Sequence, residues 1–447
     1  MVYNELFLTT KDTKTHENMK KPASHDFAEG LLGFIDASPT PYHAVAGLSK
    51  ILLSAGFKEY RESEAWDAVP GSMGFVVRNQ SALAIFQMGE VALSAKTGFR
   101  IIAAHTDSPA LKLKHQAAQT TGGSLRIPVE IYGSTIHSSW LDRPLGVAGR
   151  IVDLDSSPSE PELVCSRQPL AVIPNVAPHM NRDINEGFRY NPQQHLAALF
   201  GKGTLEELFA NLLPKKRKLP SPDVLVAELF LYETEAACLT GFDQQLILAP
   251  RLDNLASCYA AVLALCKMQP GRQTRVLFLA DNEEVGSVSM QGANSAFLRD
   301  FLTRLLPRKT ASNDLLLRML AQSSLLSADA AHALHPNFPE SHDPAYAPEL
   351  NRGVVIKNNA SLRYASNAIS QAFLLRQCRK HQIPVQSFAA RSDKGCGSTI
   401  GPVCSALLGI PALDLGIPLW GMHSCRETSG KDDPLFLRNA FEAYWNE

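Results

Sequence analysis

Apolar positions change rhythm several times along the chain, and each change predicts an element. Val45, Leu48, Ile51, Leu52 and Ala55 recur at helical spacing. Thr40-Pro41 supplies an N-cap and a proline at the first helical position, and Gly56 supplies the stop. Stretches rich in Val, Ile, Ala and Phe predict strands at 74–88 and 99–104, and further strands fall at 275–280 (RVLFLA) and 412–415. The segment 361–379 reads as a helix with Leu362, Ala365, Ile369 and Phe373 on one face. Buried strands alternating with helices imply an α/β fold, a mixed and mostly parallel sheet flanked by helices.

The stretch 109–249 has a different texture, richer in Gly, Pro, Ser and His. It carries short strand-like runs at 127–132 and 225–232. It also holds a capping box, Thr204-Leu205-Glu206-Glu207, followed by Leu208, Phe209 and Leu212. We read it as an inserted β-rich second domain, for dimerisation or as a lid, within a main domain made of 23–108 and 250–447. The polar first 22 residues read as a disordered arm. Lys215-Lys216-Arg217-Lys218, between prolines, reads as a solvated loop.

Composition narrows the class. Lys+Arg 43 against Asp+Glu 44 gives a net charge of -1, which argues against a nucleic-acid binder or a polybasic membrane-surface protein. Apolar stretches break off well before the roughly 18 residues of a membrane span, and the first twenty residues lack the apolar core of a secretory leader. The eight cysteines form no C-x-x-C pair and several sit in apolar runs, so buried thiols in a reducing cytoplasm are expected.

Acids and histidines gather at the ends of apolar runs. His105 and Asp107 follow one predicted strand, and Asp281, Glu283 and Glu284 follow another. Asp253 precedes a helical run, Asp329 ends LLSAD, and His423 follows the LDLGIP segment. At the carboxyl ends of an open α/β sheet these segments converge on one crevice. Taken singly, such a histidine is most often a hydrogen-bonded surface or core residue, and such an acid a helix cap or a solvated charge. Together they offer mixed His/Asp/Glu ligation suited to zinc, with manganese or cobalt also accommodated. Three carboxylates and two histidines exceed what one open catalytic zinc needs. One bridging acid, with one acid and one histidine per ion, divides them between two metals. Of the adjacent Glu283 and Glu284, one can ligate while the other serves as general base.

The sequence resembles the aspartyl aminopeptidase family of dinuclear-zinc exopeptidases, including its bacterial members, from about Asp26 onward. The segments run in family order: SPTPYHAV, AAHTDSP, VAPHMNRDINEGF, RLDN, DNEEVGS, SADAAHALHPN, IKNNASLRYASNA, RSDKGCGSTIGP and LDLGIPLWGMHS. The resemblance implies a zinc-exopeptidase-like fold and two divalent ions per subunit, most often zinc. His105 and His423 would be terminal ligands, Asp253 the bridge, and Glu284 and Asp329 one further ligand each. Glu283 would be the general base and Asp107 would orient His105. Related dinuclear peptidases often have a cis peptide after the bridging aspartate, here Asp253-Asn254. His179 matches a histidine that a neighbouring subunit lends to the active site, which ligand count assigns to substrate although some descriptions make it a metal contact. His332 and His335 are read as supports.

By the same resemblance the chain is an aminopeptidase that removes the N-terminal residue of peptides and prefers Asp or Glu there, with Lys357 and Arg391 as candidate substrate-binding cations. A homo-oligomer is implied, dimer-based and commonly a tetrahedral dodecamer. The alternative on the same scaffold is a broad-specificity or glutamyl dinuclear aminopeptidase, or a deacylase.

Overall fold

The computed structural model describes residues 23–156, 160–214, 221–308 and 311–447. The arm 1–22 and the basic run 215–218 lie outside them. A nine-stranded sheet runs in the order Lys58–Glu59, Met73–Arg78, Ala82–Gln87, Thr274–Ala280, Phe99–His105, Ser324–Ala328, Ala412–Gly416, Val354–Asn358, Val385–Ala389. Five of its eight neighbouring pairs are parallel. The four central strands, from Thr274–Ala280 to Ala412–Gly416, are parallel throughout.

Their continuous apolar character follows from burial on both faces. Ile102, Ala104, Leu277 and Leu279 face a core shared with the helices Leu252–Lys267 and Asp433–Trp445. Ile101, Ala103, Val276 and Phe278 face the opposite core, built with Phe297, Phe301, Met319 and Cys404 from three other helices. A parallel sheet clamped in this way brings all its carboxyl ends to one edge, with Ala280 level with His105.

The helix expected after Thr40 spans Pro41–Ser54, although the Thr40 hydroxyl pairs with His43 Nδ1 at 2.8 Å and caps no backbone N–H. The run 74–88 is a hairpin of two strands turned at Asn79 and Gln80, both at positive φ. The helix read over 361–379 is Ala368–Lys380, started by an Asn367 capping box. Its inward side chains are Leu374 and Cys378, while Leu362 and Ile369 are 70% and 83% exposed. Of the four expected positions Phe373 does pack inward from this helix, against Tyr444, but Leu362 and Ala365 precede the helix because the segment before Asn367 is a turn.

The insertion forms an antiparallel sheet, Glu162–Cys165, Leu145–Asp153, Leu225–Glu233, Ala110–Leu113, Val129–Tyr132, with a small three-stranded sheet beside it. It has its own core around Leu111, Trp140, Val147, Phe209 and Leu229. The capping box at Thr204 closes reciprocally with Glu207. Strands Cys238–Thr240 and Leu246–Ala249 belong to a different sheet, where Leu246–Ala249 pairs with Glu427–Gly430.

Candidate metal centre

His105 ends its strand, and Asp329 directly follows Ser324–Ala328. Glu283 and Glu284 ride a single helical turn just beyond Thr274–Ala280. Asp253 lies at the start of the helix Leu252–Lys267, in a non-helical conformation, and the Asp253–Asn254 peptide is cis. His423 sits in the left-handed region at φ 68°.

These side chains meet as two triads that share one residue. His105, Asp253 and Asp329 form the first, and Asp253, Glu284 and His423 the second. In each, the candidate ligand atoms lie within 4.8 Å of one another. Asp253 Oδ1 is 3.5 Å from His105 Nε2, and Asp253 Oδ2 is 3.7 Å from His423 Nε2, so each oxygen faces a different triad. His105 Nε2 is 3.8 Å from Asp329 Oδ1, and His423 Nε2 is 3.5 Å from Glu284 Oε2. Tetrahedral zinc with bonds of about 2.0–2.1 Å sets its ligand atoms about 3.3 Å apart, close to these spacings. Glu283 joins His105 and Glu284 in a third grouping.

Both imidazoles are turned to offer Nε2. The other ring nitrogen of His105 lies 3.1 Å from the Asp107 carbonyl, and that of His423 lies 3.1 Å from the Ser134 carbonyl. An Nδ1–H donated to a carbonyl leaves Nε2 free to ligate. Asp107 works from behind the ligands. Its Oδ1 accepts the Glu283 N–H, its Oδ2 accepts the Glu284 N–H and the Tyr132 hydroxyl, and Oδ1 is 3.4 Å from His105 Nδ1.

The electrostatics call for cations. Asp253 Oδ1 and Glu284 Oε1 are buried with no hydrogen-bond partner. Burial raises the Asp253 carboxyl, with Asp329 adding to the rise, and burial together with Asp253 holds Glu284 well above the carboxylate range. Glu283 is pushed up to about 8, chiefly by burial. Against its own burial, His105 is held well above the imidazole range by Asp107, Asp253 and Asp329. Unpartnered buried carboxylates are costly unless metal coordinates them. The donor set, two imidazoles and oxygen ligands, fits divalent zinc.

A pH dependence follows for metal-free protein. Glu283 and Glu427 titrate near 8 and Asp281 near 7 in the native chain, each raised chiefly by burial, from ordinary values of 4.5 and 3.8. Across that window the native state binds more protons than the unfolded chain, so stability falls as pH rises from about 4.5 to 8. The elevated His105 adds to the fall, as does Asp433, raised by burial to about 7. His43 and His332, lowered by burial to about 4, oppose it below about pH 6.5 but are outnumbered. Asp107 and Asp329, both held low, act only below about pH 4. Urea midpoints of chelator-treated protein should decline steadily from pH 5 to pH 8. A rising midpoint would contradict this charge balance.

Of the remaining sequence candidates, Lys357 touches a triad through Asp329, whereas Arg391 and His179 belong to neither. Lys357 is 2% exposed, its Nζ 3.3 Å from Asp329 Oδ2 and bonded to the Ala330 carbonyl at 2.9 Å. This pairing holds Asp329 low despite its burial. Arg391 makes a bidentate pair with Asp393, both bonds 2.8 Å. It lines a cleft of about 310 Å³ together with Lys394, His332, His335, Phe388 and Trp420. His179 is exposed on a loop of the insertion. Sequence reasoning passed over Tyr132, Ser134 and Glu427. Their signal is weak, since each acquires its role only when distant segments meet.

Residues 34–445 match the family described as Aminopeptidase I zinc metalloprotease (M18). A probable M18 family aminopeptidase 2 from Stutzerimonas stutzeri is 41% identical over 424 residues, covering 94% of this chain and 97% of that protein. Among solved structures, Ape4 in its complex with Nbr1 is 36% identical with a TM-score of 0.90, covering 95% of this chain and 86% of that one. The S. cerevisiae mApe1 dodecamer is 27% identical with a TM-score of 0.81, covering 95% and 97%.

Proposed function

Because the chain belongs to the M18 family of zinc metalloprotease aminopeptidases, we propose that it binds two divalent ions and removes acidic residues from peptide N-termini. The observation that carries this reading is the pair of triads sharing Asp253, one carboxylate oxygen turned to each histidine. Asp253 would bridge, His105 and Asp329 would complete one ion's ligands, and His423 and Glu284 the other's. The chemistry a bound pair of divalent ions supplies is Lewis acidity, toward the scissile carbonyl and toward the attacking water.

The chain's own residues handle the proton. Glu283 takes it from the attacking water and returns it to the leaving amine. Asp107 fixes the position of that base through the Glu283 N–H and orients His105. His179, exposed on the insertion, would enter the site of a neighbouring copy and hydrogen-bond the developing oxyanion, a contact of about 3–4 kcal/mol in other hydrolases. Assembly into a dimer-based dodecamer would supply that neighbour, and the similar mApe1 structure is a dodecamer. Eight free cysteines support a cytoplasmic site of action, and no helix among the described residues is long and apolar enough to cross a membrane.

For the acidic side chain, the cleft lined by His332 and Gly421, which follow Asp329 and precede His423 in the chain, would supply the space. Arg391 stands on its wall and Lys357 lies beneath Asp329. A panel of Asp-, Glu- and Leu-initiated substrates tests the assignment. Wild type should favour the acids, and Arg391→Ala should narrow the ratio of kcat/KM values about tenfold, the scale of one charged hydrogen bond. Lys357→Ala should narrow it too and weaken metal retention as well, because Asp329 loses its partner. An unchanged ratio removes that residue from the pocket. Cleavage of N-acetylated peptides would favour the deacylase alternative.

A further inference from the structure

Four residues beyond His423, at the first position of the strand Glu427–Gly430, stands a buried acid that the ligand scheme does not use. Glu427 is 2% exposed, and no Lys or Arg pairs with it among the described residues. The neighbouring Arg426 is committed to Glu233. In place of a cation, Glu427 meets two backbone N–H groups. Oε1 accepts that of His423 at 2.7 Å, and Oε2 accepts that of Asp253 at 3.0 Å. Two candidate ligands from segments 170 residues apart in sequence are therefore tied to the two oxygens of one carboxylate.

We infer that Glu427 is a positioning residue for the triad Asp253–Glu284–His423, setting the affinity of that half of the metal pair through the backbone of two of its ligands. The inference rests on the two-ion reading proposed above. Its physical basis is threefold. When ionised, the form that cations bound at Asp253 would favour, a carboxylate is acceptor-only at both oxygens, whereas Gln has one acceptor oxygen and Ala none, so only an acid can serve both N–H groups in this geometry. His423 holds a left-handed conformation, unfavourable for a residue with a Cβ, and its backbone needs fixing on both sides. Glu427 holds its N–H, and the Ile136 N–H holds its carbonyl at 3.1 Å. The third ligand of this triad, Glu284, is secured separately by Asp107. The other triad shares Asp253, but its two remaining members have different anchors, a strand end and Asp107 for His105 and Lys357 for Asp329, so the asymmetry comes from His423. Loss of Glu427 should thus act unequally on the two ions.

The test is competition of the full-length, metal-stripped protein against a chromophoric chelator for Zn²⁺, which gives stoichiometry and both dissociation constants. Wild type should take up two equivalents. In Glu427→Gln one of the two ions should lose about tenfold in affinity, and in Glu427→Ala up to about a hundredfold, the range for partners that orient ligands. The other ion should change by no more than about threefold in Glu427→Gln. The cobalt-substituted protein should show a changed d–d spectrum at one site only. Far-UV circular dichroism checks folding, and if the alanine variant does not fold, the glutamine variant decides alone. Both ions weakening alike, or neither, would overturn the positioning role. A wild type that binds a single equivalent would overturn the two-ion reading first, and this inference with it.

Discussion

Replacing Glu283 with glutamine should lower kcat by roughly 10²–10⁴-fold, the contribution of a positioned general base, while the purified protein keeps its full metal content. The two halves of this expectation have separate grounds. Glutamine keeps the shape of the side chain but takes no proton from water at neutral pH. The substitution leaves the backbone untouched, so the Glu283 N–H still donates to Asp107 Oδ1 at 3.1 Å. Both triads that share Asp253 are complete without Glu283. Glu284→Gln is the contrast, since it alters a member of one triad and should cost an ion along with activity. Elemental analysis beside steady-state kinetics separates the cases. Loss of metal from Glu283→Gln would move Glu283 among the ligands and leave the base unassigned.

The adjacency of these glutamates shows how much of the site could be read from sequence. The acids and histidines that converge were visible because a parallel sheet leaves no other place for them. A buried strand ends where its apolar run ends, and the next polar residues fall at the carboxyl edge. His105, Asp329 and the Glu283–Glu284 pair all follow this rule. Asp253 and His423 do not. They reach the crevice from a helix start and a loop; their segments marked them as candidates, and the family resemblance supplied their separate roles as bridge and terminal ligand.

The supports were illegible for another reason. Tyr132, Ser134 and Ile136 belong to the insertion, and their contacts with Asp107 and His423 exist only once the two units pack. Gly133 marks the closeness of that packing. At φ 72°, an added Cβ there would come within 3.1 Å of Glu284 Cβ. Glu427 offers no periodicity, since it is one acid opening a short strand. The error at 361–379 has a similar origin. Leu362, Ala365 and Ile369 mimic a helical stripe, but Asn367 starts the helix inside it, and only tertiary packing selects Leu374 and Cys378 as the inward side chains.

Asp253→Asn should abolish activity and yet change stability in opposite directions with and without metal. Asparagine has one acceptor oxygen where the bridge needs two. Each triad loses one of its two carboxylates, the one they share, and metal content should fall from two equivalents to below one. In metal-loaded samples the wild type gains stability in proportion to the logarithm of free zinc over its dissociation constant, and the variant gains little. In chelator the order should reverse. Ionised Asp253 is buried, its Oδ1 is unpartnered, and burial, with repulsion from Asp329 second, raises its carboxyl despite His105 and His423 nearby. A neutral side chain of the same shape relieves that repulsion, so the metal-free variant should unfold about a degree above the metal-free wild type for each roughly 1 kcal/mol relieved in a chain of this size. Thermal scans of both proteins, each with excess zinc and with chelator, give four midpoints whose order should cross. If Asp253→Asn is the less stable protein in chelator as well, then the imidazoles alone hold this carboxylate in place, and the crowded acids do not by themselves demand cations.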